Sequence, residues 1–156
     1  MQKSHLSDLN RNFDIYPSLC YTKSRVQPSF PGKILVIDDD PDLRDLYKEV
    51  LTEGGYQIDV ASDGQEGLTK ILLGGYDLIL LDIMMPKIDG IGILKRLKDK
   101  PPDVYNGPIF VLSVLNQDEI IKKAMDLGAK GYIIKSDLTP DQVLNKISAI
   151  LLEKQK

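Results

Sequence analysis

Three consecutive carboxylates, Asp38, Asp39 and Asp40, follow the apolar run Ile34 to Ile37. A fourth, Asp82, closes the apolar run Leu78 to Leu81, while Ser113 follows a run from Pro108 to Leu112 and Lys135 follows Gly131 to Ile134. If these runs are neighbouring strands, their ends share one rim and bring up to three carboxylates close together. Like charges at about 4 Å repel, and one carboxyl would stay protonated unless a cation sits among them. Oxygen-only ligands at a partly open site suit Mg2+. An ammonium, a hydroxyl and a dication around one carboxylate are the groups that stabilise a transferring phosphoryl group. Asp82, on the most central-looking run, is the candidate nucleophile, and its product would be an acyl phosphate. Taken singly, each residue has an ordinary explanation. Asp40 suits a helix cap, Ser113 a turn hydroxyl, Lys135 a surface lysine, and Asp38-Asp39 a solvated acidic turn. The shared rim sets them apart.

The elements that would build that rim can be read in order from Lys33. Short apolar runs of the kind seen in buried parallel strands alternate with amphipathic stretches. Asp40-Pro41 opens a helix with an acidic cap and proline at its first position. Its apolar face is Leu43, Leu46, Tyr47, Val50 and Leu51, and Gly54-Gly55 ends it. Tyr56 to Ala61 reads as a second strand, and Asp63 with Glu66 as a capping-box-like start for a helix burying Leu68, Ile71 and Leu72. After the third strand, Asp77 to Asp82, a helix carries Ile91, Leu94 and Leu97. After the fourth, Asn116 and Glu119 cap a helix carrying Ile120, Ala124 and Leu127. Thr139-Pro140-Asp141-Gln142 is a capping box that opens a last helix bearing Val143, Ile147 and Leu151. This alternation predicts an α/β fold, a parallel sheet with helices on both faces, in which ligands gather at the carboxyl ends of the strands.

Residues 1–32 read as a flexible tail and 33–156 as the folded domain, a reasonable size for a single core. Pro17, Pro28, Pro31 and Gly32 punctuate the tail, and Leu6, Leu9, Phe13 and Tyr16 could line one short amphipathic helix. His5, the sole histidine, and Cys20, the sole cysteine, both fall there, so no internal disulfide or thiolate cluster can form. The net charge is −3, with four Lys/Arg against two Asp/Glu up to Gly32 and 16 against 21 beyond it. That acidic balance argues against direct nucleic-acid binding. No apolar run approaches a membrane span and no signal peptide is visible, so a cytoplasmic location is expected.

Four motifs in order and spacing resemble the receiver domains of two-component response regulators: Ile34 to Asp40; Asp77 to Asp82 with Ile83-Met84-Met85-Pro86 and Asp89-Gly90; Pro108 to Ser113; and Gly128 to Lys135. The resemblance runs from about Lys33 to Leu152. It implies a flavodoxin-like, doubly wound five-stranded sheet of order 2-1-3-4-5. It also implies that Asp82 is the phosphoacceptor, and that Mg2+ is held by Asp39, Asp82 and the backbone carbonyl of Met84, with Asp38 holding a coordinated water. Ser113 and Lys135 would bind phosphoryl oxygens, and Tyr132 matches the aromatic switch residue that responds to Ser113. The sequence departs from the family at Ser136, where proline in a cis bond is usual. Without proline a cis bond costs about 2.5–4 kcal/mol, so a trans bond is expected. Ser113 replaces the commoner threonine. Met84 and Leu115, both apolar, stand where the family tunes water access, and they imply slow self-dephosphorylation.

The resulting expectation is a phosphorelay switch with no effector domain of its own and not an enzyme in its own right. It would be phosphorylated by a histidine kinase or phosphotransfer protein and would signal to a downstream protein through its fourth helix, fifth strand and fifth helix, a surface also suited to a weak homodimer. Two alternatives compete with it. One is an interaction-only receiver fold. The other is a haloacid-dehalogenase-like phosphatase using the Asp-x-Asp within Asp38 to Asp40, against which Pro41 and Asp42 speak.

Overall fold

A computed structural model describes residues 32–114 and 118–153. The expectations for the tail helix, His5, Cys20, Leu115 and Asn116 lie outside the described residues. The strands are β1 (Lys33–Ile37), β2 (Gln57–Ala61), β3 (Leu78–Asp82), β4 (Ile109–Ser113) and β5 (Gly131–Ile134). Between and after them come α1 (Pro41–Glu53), α2 (Gly64–Leu73), α3 (Gly90–Asp99), α4 (Asp118–Asp126) and α5 (Pro140–Glu153). All neighbouring strands pair in parallel, in the order β2-β1-β3-β4-β5. The doubly wound expectation is met.

The period of two along the strands divides the core between the two faces. Leu35, Ile37, Ile79, Leu81 and Val111 face α2, α3 and α4, packing with Leu68, Ile71, Ile93, Leu94 and Ala124. Their alternates Ile34, Val36, Leu78, Leu80 and Leu112 face α1 and α5, against Tyr47, Leu51, Val143 and Ile147. Every residue of β3 is buried, as its unbroken apolar run and central place require. Truncating a side chain such as Leu80 to alanine there would cost about 2–5 kcal/mol.

The helix starts follow their caps. Asp40 Oδ1 accepts from the amides of Asp42 and Leu43, and Gln142 Oε1 from the amide of Thr139 at 2.8 Å. At α2 the box is shifted by one residue: Asp63 caps the helix, but Glu66 Oε2 reaches back to the Ser62 amide rather than to Asp63. Some boundaries and faces also differ from the sequence pattern. Asp77 precedes β3, and its carboxylate accepts from the Lys33 amide. Ser113 is the last residue of β4 rather than the first beyond it. Leu46 and Leu72 are exposed, at 38% and 46%. On α2 the buried stripe is Gly64, Gly67, Leu68 and Ile71, and Leu72, some 100° further round, falls past its edge. At α4, Ile120 and, just past the helix end, Leu127 pack partly buried against the core as expected, and Ile121 is buried alongside Ala124.

Candidate functional site

The strand order turns outward from β1 in both directions, which opens a crevice at the carboxyl ends of β1 and β3. Ile37 pairs with Leu81 in register, so Asp38 and Asp82, each one residue further on, emerge side by side. Both are almost fully buried, at 0% and 3% exposure, whereas Asp39 is exposed. One carboxylate oxygen from each of Asp38, Asp39 and Asp82 lies within 4.8 Å of the others.

Two loops hold these groups. Asp38 Oδ1 accepts from the Asp40 amide at 3.0 Å, and the Asp38 carbonyl accepts from Arg44 Nη1 on α1 at 2.8 Å. Asp82 Oδ1 accepts from the Met84 amide at 3.2 Å, which draws the β3–α3 loop backbone against the carboxylate. The far end of that loop returns to the same spot. Gly90 donates to the Ile83 carbonyl, and a Cβ at Gly90 would lie 2.4 Å from the Asp82 carbonyl oxygen. Glycine is required there.

Lys135 arrives from β5, where it opens a single 3-10 turn, Lys135–Asp137. Its Nζ lies 2.6 Å from Asp38 Oδ2 and 3.1 Å from Asp82 Oδ2. The Lys135–Ser136 bond is trans, as the missing proline predicts. Ser113 ends β4 beside Ile134, one residue past the Leu112 that pairs with Asp82. Tyr132 lies on the edge strand β5 with 42% of its surface exposed. Met84 turns its side chain outward, 68% exposed.

The electrostatics show a shortage of positive charge. Burial pushes the Asp82 carboxyl up, and Asp38 adds to the effect against the opposing pull of Lys135. Burial alone would lower the Lys135 ammonium, but Asp38 and Asp82 outweigh it and hold the group above its ordinary value. The same two carboxylates add to burial in pushing the buried Tyr47 phenol up to about 12. Asp38 Oδ2 is fully buried and, beyond its ion pair with Lys135, has no hydrogen-bond donor. Three carboxylates and one ammonium leave the cluster net negative. A hard dication with oxygen preference fits this donor set.

The structure therefore gathers Asp38, Asp39, Asp82 and Lys135 into contact range and sets Ser113 and the Met84 backbone beside them. Sequence reading missed Arg44 and Tyr47. Arg44 stands one turn into α1 and reaches back to the Asp38 carbonyl; Tyr47 reads in the sequence only as part of the apolar face of α1.

The chain matches the response regulator receiver domain family over residues 34–148. It is 37% identical over 124 residues to the chemotaxis protein CheY of Treponema pallidum, covering 78% of this chain and 83% of that protein. It is also 37% identical over 115 residues to the transcriptional regulatory protein DltR of Streptococcus agalactiae, of whose length it spans only 50%. Among solved structures, a CheY-like receiver domain protein from Methanospirillum hungatei superposes with a TM-score of 0.71 at 28% identity, covering 81% of this chain and 98% of that one. The response regulator TrrA of Thermotoga maritima, solved in complex with Mg2+ and BeF, superposes with a TM-score of 0.64 at 34% identity, covering 76% and 98%. The chain belongs to the response-regulator receiver domain family, whose members are signalling domains of two-component systems rather than turnover enzymes. That membership disposes of the phosphatase alternative. Among the described residues, no helix is long and apolar enough to cross a membrane.

Proposed function

We propose that the chain is a phosphorelay switch whose phosphoacceptor is Asp82. The observation that carries this reading is the Asp38–Asp39–Asp82 cluster, within 4.8 Å, with the Lys135 ammonium 3.1 Å from Asp82 Oδ2. An Asp82 carboxylate oxygen attacks the phosphorus of a phosphohistidine on a histidine kinase or phosphotransfer protein. The P–N bond breaks, its electron pair leaves with the imidazole, and the product is a mixed acyl phosphate. Asp39, Asp82 and the Met84 carbonyl would hold Mg2+, with Asp38 holding a coordinated water; when bound, the ion neutralises charge on the phosphoryl oxygens. Lys135 pairs with one phosphoryl oxygen and thereby gives up part of its hold on Asp38. Ser113 donates to another, and its movement opens room for Tyr132, now exposed, to turn inward.

In this reading residues 33–156 form the receiver domain, and the protein works in the cytoplasm. The output is a changed protein-binding surface on α4, β5 and α5, which could also support a weak homodimer, and Met84 with Leu115 makes self-dephosphorylation slow. Incubation with acetyl phosphate and Mg2+, followed by intact mass measurement, tests the core of it. Wild type gains one phosphoryl group, while Asp82→Asn does not. An unmodified wild type would leave an interaction-only receiver fold.

A further inference from the structure

We infer that Lys87 is a positioning residue, whose ion pair with Asp63 latches the β3–α3 loop to the first turn of α2 and so sets how well that loop serves a divalent cation. The inference rests on the magnesium reading above.

The loop from Ile83 to Asp89 is fastened at its two ends by contacts around Asp82, but its middle turns sharply. The Ile88 amide donates to the Pro86 carbonyl at 2.9 Å, closing a three-residue turn centred on Lys87. Lys87 has φ of +68°, the only positive value at a non-glycine among the described residues. A turn of this kind is strained, and glycine would take the angle with less difficulty. Such a conformation persists where surrounding structure holds it, and here two contacts to α2 do so.

The first contact is polar. Lys87 Nζ lies 2.6 Å from Asp63 Oδ2. The other oxygen, Oδ1, already caps α2 by accepting from the Gln65 and Glu66 amides, each at 2.9 Å. The cap fixes the carboxylate, so the ion pair orders only one flexible side chain. Lys87 is also the leading cause of the lowered Asp63 pKa. The second contact is steric. Gly64, the first residue of α2, lies so close that a Cβ would stand 1.7 Å from the Ile88 carbonyl oxygen. Thus α2 bears on the loop immediately beyond Met85 and Pro86, and Met84 is the residue whose amide is already fixed to Asp82.

A latch and a simple surface charge predict opposite signs. If Lys87 acted only through its charge, removing it would relieve repulsion of a nearby cation and tighten magnesium binding. If it latches the loop, removing it loosens the backbone and weakens binding. The test is calorimetric titration of Mg2+ into the full chain for wild type, Lys87→Ala, Lys87→Arg, Asp63→Asn and the Asp63→Asn/Lys87→Ala pair, with Asp39→Asn as the control for the site itself. Asparagine can retain the Oδ1 cap while presenting an amide donor to Lys87. We expect Lys87→Ala and Asp63→Asn each to weaken magnesium by roughly threefold to tenfold, modest for a ligand-orienting contact because the pair is on the surface. The double variant should be no weaker than either single, and Lys87→Arg should restore binding. Amide exchange in the magnesium-free Lys87→Ala protein should speed up from Met84 to Ile88, with the melting temperature little changed. Wild-type affinity or tighter in Lys87→Ala overturns the latch and leaves the magnesium reading intact. A wild type that takes no magnesium, indistinguishable from Asp39→Asn, overturns both.

Discussion

Lys135 Nζ stands closer to Asp38 Oδ2, at 2.6 Å, than to the proposed phosphoacceptor Asp82, at 3.1 Å. The lysine thus serves as the internal counter-ion of two buried carboxylates. A dication entering the cluster competes with it. Lys135→Met leaves Asp38 and Asp82 facing each other without a cation, and breaking a buried pair in this way costs about 3–5 kcal/mol. The variant should melt well below wild type in chelator, bind magnesium more tightly, and recover much of its stability when magnesium is added. Its phosphorylation by acetyl phosphate should fall sharply. Equal melting temperatures in chelator would show that the lysine is not the counter-ion.

Much of this arrangement could be read before the structure, for a physical reason. Parallel strands in register deliver their terminal residues to one rim, so four apolar runs ending in Asp38, Asp82, Ser113 and Lys135 already implied a shared site. The strand order was less accessible. Alternation specifies a parallel sheet but not which strands are neighbours, and the order 2-1-3-4-5 came from the family resemblance. Lys87 escaped notice because Asp63 had a sufficient role as a helix cap, which hid its second oxygen. Leu72 reads as core-facing in the sequence because the consecutive Ile71-Leu72-Leu73 leaves the helix rotation undetermined.

The buried Asp82 carboxyl gives a pH-dependent prediction. Burial, reinforced by Asp38, raises its pKa above the unfolded value against the opposing pull of Lys135. A raised group favours folding fully below its unfolded value, about 3.9 for an aspartate, and that contribution is lost as pH rises through the folded value. At neutral pH without metal, the ionised Asp82 is therefore a net cost. Asp82→Asn should be more stable than wild type at pH 7 in chelator. The gap should narrow as pH approaches 4. Denaturant melts across that range would read it, and a variant less stable than wild type at pH 7 would contradict the sign.

Gly64→Ala separates two opposed effects at the start of α2. Alanine favours helix over glycine by about 1 kcal/mol, and no unusual backbone angle at Gly64 opposes the change. Against that, the new Cβ would meet the Ile88 carbonyl oxygen at 1.7 Å and its carbon at 2.7 Å, and a backbone group cannot swing aside. The expected result is a net loss of about 1–3 kcal/mol, the range for overpacking, measured by urea denaturation. A stabilised variant would mean that α2 does not bear on the loop.

Away from the site, Asp59 ties β2 to its neighbours: its carboxylate accepts from Lys70 Nζ on α2 at 3.0 Å and from the Tyr76 hydroxyl at 2.8 Å. Burial alone would raise the Asp59 pKa, but the bonds from Lys70 and Tyr76 outweigh it and the net displacement is downward. A lowered group supports folding above its unfolded value and loses that support as pH falls through the folded one. Part of the acid unfolding of the domain should therefore belong to Asp59. Its side chain is 35% exposed, so solvent screening limits the ion-pair share to less than about 1 kcal/mol. The Tyr76 hydroxyl adds to this, because Tyr76 is only 4% exposed and Asp59→Ala would leave its hydroxyl without this acceptor, at a cost of about 1–3 kcal/mol. Asp59→Asn keeps an acceptor for tyrosine while removing the charge, so it should lose less at pH 7 than Asp59→Ala and show a flatter decline between pH 5 and about 3. If the two variants declined in parallel with wild type, the acid sensitivity would have to come from other carboxylates.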